Sequence, residues 1–146
     1  MPTMAKAQHT TNYQNAFIQV ADDCPADRGV VPSERAGTLT VAGMQYAMIA
    51  AEPYAYTSDD VIFATSAAGR SVGAASKAKI SEARAAFFSK GQACLRSSPL
   101  GKKFGWGIHA NAQGRVAIFA MDSDQYRRLA GNAKLKQLKA MRSKRA

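Results

Sequence analysis

Long apolar runs are missing from this chain, and cysteine is nearly so. A membrane helix needs about 18 or more consecutive apolar residues. The longest apolar-rich stretch, residues 41–51, is interrupted by Gly43 and Gln45, which excludes a helical span and with it a membrane partner. Residues 1–11 are polar, carry one charge at Lys6, and lack the apolar centre of a signal peptide. Two cysteines, Cys24 and Cys94, are too few for a secreted disulfide scaffold. They read as reduced thiols in a cytoplasmic protein.

Histidine is scarce as well. His9 and His109 stand far apart, with no clustered Cys/His spacing of the kind zinc requires, so no metal or other cofactor is expected. There is no Walker loop and no dinucleotide fingerprint. Zinc-finger, RNP and KH signatures are also missing. No motif marks a catalytic residue, and whether the protein is an enzyme stays open at this level.

Acidic residues are outnumbered, ten against twenty bases, for a net charge of +10. The imbalance is uneven: residues 1–60 hold three bases and seven acids, residues 61–146 seventeen bases and three acids. Such asymmetry points to an anionic partner, nucleic acid foremost, or to a self-complementary homodimer. The competing reading is a basic surface that only keeps the protein soluble.

What is present is an ordinary globular composition. Hydrophobic residues are 47% and charged residues 21% of 146, which suits one domain over 9–146 behind a flexible leader at 1–8. A chain this long buries about 70% of its unfolded surface and needs no cross-link to hold a core.

The periodicity predicts an α+β fold: an antiparallel β-meander of three or more strands with flanking helices. A short strand is expected over 16–20, followed by a loop with Pro25, Gly29 and Pro32. A helix starts after Thr38 or Thr40, with Val41, Met44, Ala47, Met48 and Ala51 as its apolar face, and Pro53 ends it. Thr57 or Ser58 caps a second helix, with Asp59 and Asp60 at the positive end of its dipole and Gly69 as its stop. Residues 70–79 read as a loop, and Ser81 caps a third helix that ends near Gly91.

Beyond Gly91 the period becomes two. Residues 93–97 read as a strand, Ser98-Pro99-Leu100-Gly101 as a turn, and 102–110 as the best strand in the chain. Phe104, Trp106, Ile108 and Ala110 share one face of it; Lys103, Gly105, Gly107 and His109 share the other. Asn111-Ala112-Gln113-Gly114 closes a hairpin onto Val116, Ile118 and Ala120. Asp122 or Ser123 caps a helix that runs to Leu129 and breaks at Gly131-Asn132. Residues 133–146 read as a basic C-terminal helix or tail, with Leu135, Leu138 and Met141 on a narrow stripe.

Two sets of candidate site residues follow. The glycines beside His109 leave a nearly bare strand face that a flat ligand could approach. A small-molecule pocket there would draw on His109, Arg96, Lys103 and Cys94, with Ser58 and Asp59 at the nearby helix start. Cys94 and His109 on adjacent strands would allow a thiolate–imidazole pair. The competing readings are a helix packed on the glycines and a small buried thiol. The second set, for an anionic partner, is Lys102, Lys103, Arg127, Arg128, Lys134, Lys136, Lys139, Arg142, Lys144 and Arg145. No aromatics are interleaved with the bases of residues 133–146, which weakens a single-strand stacking mode.

Six blocks occur in order: His9-Thr10-Thr11-Asn12-Tyr13 with Asp23-Cys24-Pro25, Pro53-Tyr54-x-Tyr56-Thr57-Ser58-Asp59-Asp60-Val61, Phe87-Phe88-Ser89-Lys90-Gly91-Gln92, Arg96-x-Ser98-Pro99-Leu100, Gly105-Trp106-Gly107-x-His109, and Lys139-Ala140-Met141-Arg142-Ser143-Lys144-Arg145. Together they resemble a family of short, mostly bacterial proteins of unknown function. The resemblance implies that 1–8 is a variable leader and that the basic ending belongs to the domain. It carries over no activity, cofactor or catalytic residue.

Overall fold

The computed structural model describes residues 10–34 and 37–143; the predicted leader at 1–8 lies outside them. Strands β1 (Ala16–Gln19), β2 (Trp106–Ala110), β3 (Val116–Ala120) and β4 (Lys136–Lys139) form one sheet in the order β3-β2-β1-β4. The fold is α+β, but the sheet is mixed rather than an antiparallel meander. β1 pairs antiparallel with β2, and β2 with β3, while β4 runs parallel to β1. A parallel neighbour needs a crossover, and helix α6 (Asp124–Ala130) supplies it. It leaves β3, crosses the sheet against β1 and β3, and delivers β4 to the far edge.

The remaining helices are α1 (Val41–Ala51), α2 (Ser58–Thr65), α3 (Ala67–Val72), α4 (Lys77–Phe87) and α5 (Pro99–Lys102), with a 3-10 turn at Leu95–Ser97. Strand alternation divides the sheet into two faces. Ile18, Ile108, Ala110 and Val116 point to the main core, where they meet Ile49 of α1, Val61 of α2, Leu95, and Leu100 of α5. Trp106 lies on this face against Tyr46, with ring centroids 5.3 Å apart. Phe17, Gly107, His109 and Ala117 take the other face. There Tyr126 of α6 stacks edge-on against Phe17 at 5.0 Å. A Cβ on Gly107 would come within 2.5 Å of both rings, so the glycine makes room for aromatic packing. The expected bare face is a filled one.

Capping chemistry placed several helix starts correctly. Thr40 caps α1, Thr57 and Asp60 form a capping box at α2, and Ser123 caps α6. The buried side of α1 differs from the expected stripe: Ala42, Gln45 and Ile49 are covered, whereas Val41 is exposed. Gln45 can be buried because Ser98 Oγ donates to its Oε1 at 2.6 Å and its Nε2 donates to Thr65 at 3.4 Å.

Other expectations are corrected. Residues 70–79 are not one loop: they hold the end of α3 and the first turn of α4, which Ser76 caps rather than Ser81. Residues 93–97 form no strand, and Ser98 caps α5 with Pro99 in its first turn instead of making a turn. Lys102 therefore ends a helix, and β2 begins only at Trp106, after Gly105 turns the chain at φ +79. Among the described residues the C-terminal stretch contains strand β4 and no helix. Its Leu138 packs on the core and Ala140 behind it is buried, an alternation that three-residue leucine spacing obscures. Among the described residues no helix is long and apolar enough to cross a membrane.

Candidate functional site

The residues at the start of α2 are committed to holding the chain together. Asp59 Oδ1 accepts from the Thr11 amide and hydroxyl, both at 2.7 Å, and Oδ2 accepts from Thr10 at 2.8 Å. The Asp59 amide donates to Asn12 at 2.9 Å, and Ser58 bonds Thr11 at 2.8 Å. Both residues are buried. A carboxylate with both oxygens engaged at a helix start is a structural clamp, so Ser58 and Asp59 lash residues 10–12 onto α2.

His109 is also occupied. Its Nδ1 is hydrogen-bonded to the Tyr54 hydroxyl at 2.8 Å, with the two rings edge-to-face at 5.6 Å. Burial pushes the imidazole below its usual value, so it is neutral at pH 7. Tyr54 reaches it because residues 54–57 continue the sheet beyond β3: Tyr54 donates to Val116 O at 2.9 Å and Val116 to Tyr56 O at 2.8 Å.

Cys94 and Arg96 lie elsewhere. The 94–102 segment packs on the Ile18 and Ile108 face through Leu95 and Leu100, opposite the face that carries His109. The pairing of Cys94 with His109 on adjacent strands is therefore ruled out. Cys94 Sγ instead lies 3.5 Å from the Tyr13 hydroxyl. Their hydrogen bond, with burial second, raises the Tyr13 phenol above its usual value. Cys94 also borders a cavity of about 280 Å³ with Gln45, Arg70 and Ser98. Arg96 braces β4: its Nε donates to Lys139 O, and its carbonyl accepts from Met141, both at 2.7 Å. Lys103 is exposed just past α5. The candidate pocket residues are thus distributed over three places, and His109 borders none of the cavities described in this section.

The second candidate set is brought closer together. Gln137 on β4 donates to Leu129 O at 2.8 Å and Asn132 O at 3.2 Å, and accepts from Gln19 at 2.9 Å. These bonds tie the end of α6, the 131–135 link and β4 into one sheet edge. Arg127, Arg128, Lys134, Lys136, Lys139 and Arg142 are all exposed along this stretch. Lys102 is half-buried at the end of α5, and its neighbour Gly101 packs closely against Ala140. Two of these bases are neutralised, Arg127 by Asp124 at 3.0 Å and Lys139 by Asp22 at 2.8 Å. Arg128, Lys134 and Lys136 have no acidic partner among the described residues. Lys144 and Arg145 lie outside the described residues. Lysines on an edge strand also discourage another chain from pairing there.

Three features escaped sequence reasoning. Gln137, which organises the edge, is one polar residue between two lysines. Tyr54 adopts φ +60, a conformation that no tyrosine signals in advance. The largest of the cavities described here, about 680 Å³, lies between α1, α2, α3 and α4 and is bordered by Met48, Asp60, Phe63, Arg70, Ile80 and Arg84. Its only advance signs were the capping aspartate and scattered bases.

The chain belongs to DUF6157, a family of unknown function, which matches residues 8–146. Neither a curated protein nor a solved structure matches it.

Proposed function

We propose that this protein is a non-enzymatic binding module for a polyanion, and that its partner is the phosphate backbone of a nucleic acid held at the β4–α6 edge. The observation that carries the reading is the exposed trio Arg128, Lys134 and Lys136, which has no acidic partner among the described residues. Two elements locked together by Gln137 present it. Paired bases such as Lys139 contribute less, because a phosphate must displace Asp22 first. Residues 133–146 hold no aromatic side chain and Tyr126 of α6 is packed on Phe17, so the contacts are to phosphates and not to bases of the nucleic acid.

The test is binding of a labelled duplex by fluorescence anisotropy across a salt series. Each neutralised phosphate should contribute about −0.9 to the slope of log K against log salt. The double variant K134E/K136E should weaken binding at least about tenfold and flatten the slope by about 2. Deleting residues 133–146 is the wrong control, since it removes β4 from the sheet. Absent binding, or binding indifferent to salt, refutes the proposal.

A further inference from the structure

The four-helix groove of about 680 Å³ has the size of a small-molecule site. Its walls are apolar where Met48, Phe63, Val72 and Ile80 face it. Val72 and Ile80 are only half covered, because α3 and α4 contribute no fully buried residue. An apolar ligand would complete their burial and be held by the apolar surface it takes out of water.

The charged groups in the groove are unequal. Asp60 and Arg84 neutralise each other at 2.6 Å. Arg70 is exposed, and among the described residues its side chain makes one hydrogen bond, from Nε to Ser66 O at 3.4 Å. It has no acidic partner among the described residues. The lining therefore holds one cation in excess beside an apolar wall.

The geometry points to a binding site for an amphipathic monoanion, a medium-chain carboxylate, with its tail on Met48, Val72 and Ile80 and its carboxylate on the Arg70 guanidinium. A guanidinium matches a carboxylate bidentately, and one negative charge balances the lining. The site is separate from the β4–α6 edge and does not depend on it.

Decanoate and decanol share a tail and differ in charge, so calorimetric titration of both into the full chain separates the two parts of the site. Decanoate is expected to bind about tenfold more tightly than decanol. R70Q should bring decanoate down to the level of decanol and leave decanol unchanged. A64W, a filling substitution at an exposed groove position, should abolish both. Circular dichroism checks that each variant is folded, and R84K, which keeps the charge, serves as a second probe if A64W is not. R84K should retain the preference for decanoate. Equal binding of the two ligands, no binding of decanoate, or an unaltered R70Q overturns the inference. Duplex binding by R70Q should match the parent, so failure here is distinguishable from failure of the β4–α6 reading.

Discussion

Strand β1 and helix α4 stand at opposite extremes of the same molecule. In β1, Ala16, Phe17 and Ile18 are all buried, because β1 lies between β2 and β4 and is covered on both faces. In α4, none of the eleven residues is fully buried. It is fastened at a few points, among them Arg84 to Asp60 at 2.6 Å and Phe87 against Phe63 at 5.5 Å. Stability is therefore graded outward from the sheet, and the α3–α4 pair should open locally well before the sheet does. The candidate ligand groove lies at the boundary between the two regimes.

The most forceful way to break this comparison is at its centre. Phe17 is 0% exposed and packs on Tyr126. F17A should cost about 3–5 kcal/mol, read from the urea midpoint at unchanged m-value. A loss below about 1 kcal/mol would mean that the sheet is not the stable layer. At an intermediate position, D59A strips the acceptors from Thr10 and Thr11 and should cost about 1.5–3 kcal/mol. Residues 10–12 should then lose amide protection while β2 keeps it; equal loss in both would refute the clamp.

How much of this was legible in sequence follows the same gradient. Caps are local chemistry, and Thr40, Thr57 and Ser123 announced α1, α2 and α6. The β2–β3 hairpin was legible because Asn111 to Gly114 has turn residues between two alternating runs. β4 was not. It is four residues long, and its register with β1 joins Ala16 to Lys136 across most of the chain. α3 and the start of α4 were missed because they have no buried side to set a period. The charge reading changed most. Asymmetry along the chain is not segregation in space: β1, from the acidic part, lies between β2 and β4 from the basic part, and Asp22 sits on Lys139 as Asp60 sits on Arg84. The polyanion candidates accordingly shrink to the bases left without an acid.

The outer layer should respond weakly and locally. Arg84 and Asp60 are about a third exposed, so R84Q should cost only about 0.2–1 kcal/mol. Hydrogen exchange should rise across α4 and remain unchanged in β1. If β1 amides also lose protection, the two regions are one cooperative unit and the comparison fails.

The smallest effects are in pH, where the two regions respond over different windows. Burial lowers the His109 pKa below its usual 6.5. The unfolded chain then binds a proton that the folded chain resists, so stability falls as the pH drops below about 6.5. At Asp60 burial acts upward, but hydrogen bonds from Thr57 and the Arg84 charge outweigh it and hold the carboxyl below 3.8. Its contribution is present above that value and is lost as the pH falls through the lower folded pKa. H109Q should therefore flatten the stability curve just below pH 6.5 and leave the acid limb intact, while D60N should flatten only the acid limb. Denaturant midpoints measured from pH 7 to 3 separate the two. Because His109 lies on the sheet and Asp60 anchors α4, hydrogen exchange in the first window should show loss near β2 and Tyr54, and in the second near α4. Loss at α4 in both windows would place the weak point of the fold in the outer helices at every pH and remove His109 as an independent contributor.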